Sequence, residues 1–170
     1  MKRWAPVIAL LAWASLAAAP APATLYDLKA VYLLNFLRYV EWPTRPATGP
    51  LVICVVGLEQ VGAILQNAIK GEKVDGRPIE ARVIQEPSSD CHIVYAPNGV
   101  NTGAYIRAAR GTLTDGESPG FLERGGVIEF LVADNKLRFA ISTEAAAKAD
   151  VRISSRLLRL RYSPGTGGAQ

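Results

Sequence analysis

Apolar residues concentrate in two short runs that predict the centre of a β-sheet. Leu51–Val56 contains six apolar residues, four of them β-branched, and ends at Gly57. A second run, residues 91–95, is largely apolar as well. A strand that is apolar on both faces belongs inside a sheet that helices cover on both sides. We therefore expect both runs to be interior strands, and Cys54 and Cys91 can be joined if these strands lie close together.

Helical periodicity marks most of the segments between and beyond these runs. The predicted helices cover residues 25–40, 58–69, 103–109 and 143–149. In the first of them, Leu25, Leu28, Tyr32 and Phe36 share a broad apolar face that we expect to be buried.

The C-terminal segment has an ambiguous pattern. Residues 158–162 alternate like a strand, whereas Ile153, Leu157 and Leu160 share one helical face. We favour a short helix that begins near Ser154.

The remaining strands complete a predicted α/β fold. They cover residues 79–84 and 112–114 and the hairpin 127–133 and 136–142, and a turn is predicted at 74–77 and a loop at 115–126. Strands that alternate with helices imply right-handed crossovers and a parallel sheet. We predict one three-layer α/β/α sandwich with a mixed, largely parallel sheet and a C-terminal antiparallel hairpin. It occupies residues 24–162 and is followed by a flexible tail, 163–170.

The N-terminal residues are typical of a secretory signal peptide. Lys2 and Arg3 form the positive end, residues 4–16 an apolar stretch, and residues 21–23 an A-x-A cleavage site. We expect cleavage near Ala23 and export of the rest of the chain, with no stable membrane insertion afterwards. The alternative is an uncleaved membrane anchor, for which the apolar stretch is short.

Export affects the interpretation of the two cysteines, Cys54 and Cys91. In an oxidising compartment an even pair forms a disulfide more often than a metal site or a catalytic thiol. We therefore predict a Cys54–Cys91 disulfide.

Charge gives little support to a nucleic-acid partner. Without the signal peptide, 17 basic and 15 acidic residues remain, whereas nucleic-acid binding needs a concentrated basic face. The one basic concentration is C-terminal and comprises Arg152, Arg156, Arg159 and Arg161. The first three either present guanidinium groups to carboxylates or phosphates of a partner or form a solvated polar face.

The motifs that suggest catalysis each lack a required group. Residues 116–120 match the G-x-S-x-G motif of hydrolases, in which the residue after the serine donates a backbone N–H to the oxyanion hole. Here that residue is Pro119, which has no N–H, and the one histidine, His92, precedes Ser118 instead of following it. We expect Glu117 to be a solvated loop acid.

Metal and phosphate sites are not expected either. Cys91 and His92 are adjacent on a predicted strand, so their side chains point to opposite faces, and a zinc site lacks further ligands. Residues 57–62 lack the Lys-Ser/Thr of a phosphate-binding loop. The sequence therefore predicts no catalytic residue, no metal and no cofactor.

Eight short stretches of the sequence, taken in order, resemble those of a known protein family. They are residues 29–36, 40–43, 51–57, 75–78, 91–95, 116–121, 124–128 and 152–160. Each is weakly specific alone, but the ordered set spans nearly the whole chain after the signal peptide. In this set the chain resembles the YfiR-like family of periplasmic proteins.

The resemblance implies a periplasmic, non-enzymatic α/β sandwich that is often dimeric. The family includes a repressor that binds the periplasmic part of a membrane-anchored diguanylate cyclase and holds it inactive, and release raises cyclic di-GMP and favours biofilm growth. Cys54 and Cys91 fall where the family carries a disulfide. The chain lacks the cysteines for the second bridge of some relatives, so redox switching through two bridges is not implied.

A partner-binding surface of this kind is expected to be an apolar patch rimmed by charge. The residues that we assign to it are Phe121, Phe139, Arg152, Arg156 and Arg159. The alternative function is a small-molecule-binding sensor module that feeds another membrane receptor, with its ligand in the crevice at the strand ends.

Overall fold

The computed structural model describes residues 24–163. The helices there are α1 (Leu25–Tyr39), α2 (Glu59–Ala68), α3 (Gly103–Arg107), α4 (Thr143–Lys148) and α5 (Ser155–Leu160). The strands are β1 (Val40–Glu41), β2 (Leu51–Val56), β3 (Lys73–Val74), β4 (Arg77–Ile84), β5 (Ile93–Ala96), β6 (Leu113–Gly116), β7 (Ile128–Ala133), β8 (Lys136–Ile141) and β9 (Arg152–Ile153). The predicted signal peptide and the tail from residue 164 lie outside the described residues.

The main sheet has seven strands in the order β3-β4-β2-β5-β6-β7-β8. Neighbouring strands from β4 to β7 run parallel. The edge strands β3 and β8 pair antiparallel with their neighbours, and β7 and β8 form the predicted hairpin around Asp134 and Asn135. The mixed, largely parallel α/β sheet is therefore confirmed.

Strand β2 divides the core into two layers because successive side chains point to opposite faces. All six of its residues are buried. Ile53 and Val55 join the larger cluster, which includes side chains of α1 and α2. Val52, Cys54 and Val56 join a smaller cluster on the other face, which includes Tyr105 of α3. Helices thus cover both faces of the strand, as its composition predicted.

Helix α1 buries only part of the apolar face that its sequence predicts. Its buried residues are Lys29, Ala30, Leu33, Phe36 and Leu37. Leu25 and Leu28 are 45% and 43% exposed, so the expectation that they are buried is wrong. The helix begins with a capping box, in which the Thr24 hydroxyl accepts from the Asp27 N–H.

The C-terminal segment forms a two-residue strand followed by a short helix. Arg152 and Ile153 form β9, which pairs antiparallel with β1 in a second, two-stranded sheet that the sequence did not predict. Ser154 then caps α5, its hydroxyl accepting from the Leu157 N–H at 3.3 Å. The short helix near Ser154 is confirmed, and residues 158–162 do not form a strand.

Candidate functional site

The arginines of the C-terminal segment are all exposed, but the structure does not place them together. Arg159 and Arg161 line one shallow depression on α5. Arg152 lines another, beside Pro43 and α4. Among the described residues, none of these arginines forms an ion pair with a carboxylate.

Arg156 differs from its neighbours because it packs against α1. Its guanidinium carbon lies 5.5 Å from the centroid of the Tyr39 ring, which is cation–π geometry. Beside it on α5, Leu157 is buried and Leu160 is 63% exposed. We name the exposed side chains Arg156, Arg159, Leu160 and Arg161 the C-terminal surface.

Phe121 and Phe139 do not belong to any exposed patch. They are 1% and 4% exposed. The Phe139 ring centroid lies 5.4 Å from that of Phe36, inside the main core. The expectation that both rings form the apolar part of a partner surface is therefore wrong for this structure, and Leu160 is the exposed apolar side chain near the arginines.

The G-x-S-x-G motif has a packing role. A Cβ at Gly116 would lie 2.6 Å from the Phe121 ring, and a Cβ at Gly126 would collide with the same ring. The Ser118 hydroxyl lies 3.4 Å from the Asn98 side-chain oxygen. His92 precedes β5 whereas Ser118 follows β6. Because β5 and β6 are parallel, the two residues lie at opposite ends of these strands. The motif holds a phenylalanine close to the backbone and does not assemble a hydrolase triad.

The predicted disulfide between Cys54 and Cys91 is confirmed. It links β2 to the residue that leads into β5, and both cysteines are at most 1% exposed. The Cys91 carbonyl accepts hydrogen bonds from the Arg45 guanidinium and the Thr112 hydroxyl. The bridge is therefore a shielded link between two interior strands.

His92 is held neutral beside the disulfide. The Val52 N–H donates to its Nδ1 at 3.1 Å, and the Arg77 guanidinium lies 3.3 Å from its Nε2. Burial, followed by the positive charges of Arg45 and Arg77, lowers the pKa of His92 to about 4. The ring acts as a hydrogen-bonding core residue, and within residues 24–163 its hydrogen-bond partners are the Val52 N–H and the Arg77 guanidinium, neither of which is acidic.

A buried charged cluster lies at the carboxyl ends of the strands. The Lys29 ammonium donates to Glu117 Oε2 at 2.6 Å, and the Tyr95 hydroxyl donates to Glu117 Oε1. Their side chains are 5% exposed for Lys29 and 19% for Glu117. The expectation of a solvated Glu117 is thus wrong, because α1 brings a lysine that no local pattern marks as buried.

Asp115 lies in the same region and is fully buried. Neither of its carboxylate oxygens has a hydrogen-bond partner of good geometry among the described residues. Burial raises the pKa of Asp115 well above its usual value, and the nearby Lys29 charge offsets this only in part. The only sequence signal for the cluster is polar residues at positions 115 and 117, directly at the end of an interior strand.

The described residues offer neither a cluster of metal ligands nor a helix that could cross a membrane. Within residues 24–163, no group of three or more His, Cys, Asp or Glu side chains is arranged to hold a metal ion. No helix in that part of the chain has the length and apolar character that a membrane crossing needs.

Comparison with known proteins identifies the family. The model of the YfiR/HmsC-like family matches residues 26–161. No curated protein matched the sequence. The family suggests a periplasmic regulator of cyclic di-GMP signalling that acts through a protein partner. The match covers every helix and strand described above except for the first residue of α1, and the chain therefore belongs to the YfiR/HmsC-like family.

Proposed function

We propose that this protein is a non-catalytic periplasmic repressor of a membrane-anchored diguanylate cyclase. It binds the periplasmic domain of the cyclase, holds the enzyme inactive, and so lowers cyclic di-GMP and restrains biofilm formation. The observation that carries this proposal is the family match across the whole domain.

Repression of this kind is a shift between two conformations of the cyclase. A protein that binds the inactive conformation more tightly stabilises it by the difference in binding free energy. Moving such an equilibrium from 1:99 to 99:1 needs about a 10⁴-fold difference in affinity. A repressor therefore needs a surface with charge and apolar contact area, and it needs no catalytic group.

The C-terminal surface has the chemistry for such a contact. Arg159 and Arg161 are exposed and have no carboxylate partner among residues 24–163, and Leu160 adds an exposed apolar side chain between them. Arginine is enriched among the residues that dominate protein interfaces, and an exposed leucine adds apolar contact area beside it. An acidic, partly apolar patch on the cyclase domain is the expected counterpart.

The test compares two charge reversals on opposite sides of the sheet. Arg159→Glu changes the C-terminal surface, and Arg107→Glu changes an exposed arginine of α3. Binding to the periplasmic domain of each membrane-anchored diguanylate cyclase of the source organism is measured by titration calorimetry. We expect Arg159→Glu to raise Kd about 10-fold or more and Arg107→Glu to leave it unchanged.

Three results would contradict the proposal. They are an absence of binding by the unmodified protein, an equal effect of both substitutions, and a lowered melting temperature that accounts for the loss in Arg159→Glu. Arg156→Glu is a weaker test, because Arg156 also packs on Tyr39. Size-exclusion chromatography of the same samples tests the homodimer that the family suggests.

A further inference from the structure

The order of the parallel strands creates a crevice at their carboxyl ends. The chain runs from β2 outward to β4 and then crosses back to β5 on the other side of β2. The connection after β2 contains α2, whose Val61 and Leu65 pack in the cluster of α1. The connection after β5 contains α3, whose Tyr105 packs on the opposite face. Connections that leave neighbouring strands toward opposite faces leave an opening between them, where open α/β sheets bind ligands.

A cavity of about 380 Å³ occupies this opening. Its walls come from three places: residues 56–58 after β2, residues 97–100 after β5, and Tyr26, Lys29 and Glu117. The volume lies at the lower end of the range for small-molecule sites, about 300–1,000 Å³. The cavity therefore has the size and the topological position of a site for a small ligand.

The polar groups on the wall leave hydrogen bonds unused. An ammonium has three donors, and Glu117 is the single acceptor of Lys29 within the described residues. Glu117 keeps part of its carboxylate exposed. A ligand in the cavity can therefore accept from Lys29 and donate to Glu117 without breaking the pair.

The charges on the wall favour a neutral ligand. The opposite charges of Lys29 and Glu117 lie 2.6 Å apart and largely cancel each other. An anion attracted by Lys29 is repelled by Glu117, and a cation attracted by Glu117 is repelled by Lys29. The N-terminus of α2 also borders the cavity, but its first turn carries Glu59. A hydroxyl group suits the pair because it both donates and accepts.

The Tyr26 ring adds an apolar surface beside the polar pair. It lines the cavity and is half-buried, and the Lys29 ammonium lies over one of its faces, 5.4 Å from the centroid, so the opposite face is the one offered to a ligand. An aromatic ring next to paired polar groups contacts the C–H face of a sugar ring while its hydroxyls are hydrogen-bonded. We propose that this cavity binds a neutral, polyhydroxylated small molecule of monosaccharide size. The proposal is independent of the regulatory function, and it adds a ligand site on the edge of the sheet.

The first experiment compares two sets of ligands on the protein without its signal peptide. The neutral set is glucose, galactose, mannose, N-acetylglucosamine and myo-inositol, and the charged set is phosphate, citrate, glutamate, lysine and putrescine. Amide chemical shifts in ¹⁵N-labelled protein report the site. We expect at least one neutral compound to bind with shifts centred on residues 56–58 and 98–100. No binding by the neutral set up to about 20 mM, or a charged compound bound more tightly at this site, overturns the proposal.

The second experiment uses matched substitutions in the loop after β6. Glu117→Gln keeps the side-chain size and removes the charge, and Glu123→Gln makes the same change at an exposed acid outside the cavity wall. We expect Glu117→Gln to raise Kd about 10-fold to 100-fold, since a hydrogen bond to a charged group is lost. Glu123→Gln should leave Kd unchanged, and an equal effect of both contradicts the site.

A third variant distinguishes a loss of ligand binding from a loss of folding, because it changes an exposed residue of the cavity wall. Asn98→Ala removes an exposed amide of the wall, and it should weaken binding at an unchanged melting temperature. Arg159→Glu lies outside the cavity and should keep the ligand affinity of the unmodified protein. If Asn98→Ala binds the ligand as well as the unmodified protein, the assigned wall is wrong.

Discussion

The Lys29 ammonium and the Glu117 carboxylate form an ion pair 2.6 Å long that joins residues 88 positions apart in the chain. Lys29 comes from α1 and Glu117 from the loop that follows β6. The pair thereby ties the first helix to the carboxyl edge of the sheet. Because α1 also covers the main core, this ion pair helps to fix the position of the helix relative to the carboxyl ends of the strands.

Removal of one partner of this pair is expected to destabilise the protein strongly. Glu117→Gln leaves the buried Lys29 charge unpaired, and we expect a loss of about 3 kcal/mol in the free energy of unfolding. Lys29→Met combined with Glu117→Gln should cost less than Glu117→Gln alone, because no buried charge remains. Urea denaturation of the three proteins measures both effects.

An exposed pair supplies the control for this prediction. Glu144 and Lys148 of α4 form an ion pair with both side chains more than 70% exposed. Glu144→Gln makes the same chemical change in solvent, and we expect no measurable loss of stability. Similar losses in Glu144→Gln and Glu117→Gln would show that burial of the Lys29–Glu117 pair has no special effect.

The disulfide is expected to contribute a large part of the free energy of unfolding. It closes a loop with a sequence separation of 37 residues, which in the chain-entropy model contributes about 4 kcal/mol. Cys54→Ala combined with Cys91→Ala should lower the urea midpoint accordingly. Both cysteines are buried, so dithiothreitol should reduce the native protein slowly and the urea-unfolded protein quickly. Equal reduction rates in the two states would contradict the shielded position of the bridge.

His92 is expected to remain neutral at any pH near neutrality. Its folded-state pKa of about 4 lies below the ordinary value of 6.5. The folded protein therefore binds fewer protons than the unfolded chain between these values. The resulting stability is fully present above pH 6.5 and is lost as the pH falls toward 4.

The measurement for His92 is direct because the chain has one histidine. A proton NMR titration follows its imidazole resonance, and the midpoint should lie near pH 4. In urea the same resonance should titrate near the ordinary value. A folded-state midpoint at or above 6.5 would mean that the ring is not buried beside Arg45 and Arg77 as described.

The contact between Gly126 and Phe121 predicts a penalty for one added methyl group. A Cβ at Gly126 would collide with the Phe121 ring, which is buried and cannot move away freely. We expect Gly126→Ala to destabilise the protein by about 1–3 kcal/mol. Gly103→Ala is the matched control, because a Cβ there meets mainly the flexible end of Arg107. Differential scanning calorimetry of both variants tests this, and equal melting temperatures would argue against the packing.

Local composition was sufficient to predict the features that have a clear signal in the neighbouring residues. Leu51–Val56 is short, rich in β-branched residues and apolar on both faces, which favours an interior strand. The Cys54–Cys91 bridge followed from an even pair of cysteines in a chain with a predicted signal peptide. The start of α5 followed from Ser154, since a serine before an apolar helical repeat is a local capping signal.

The surroundings of individual side chains outside these elements were not predicted, and neither was the second sheet. Whether Phe121 is exposed depends on Gly116 and Gly126 lying beside it, and whether Glu117 is solvated depends on where α1 places Lys29. The pairing of β1 with β9 joins the two ends of the domain. The order of residues specifies local conformation and the apolar content of each face, whereas burial, ion pairing and cavities arise only when segments far apart in the chain are packed against each other.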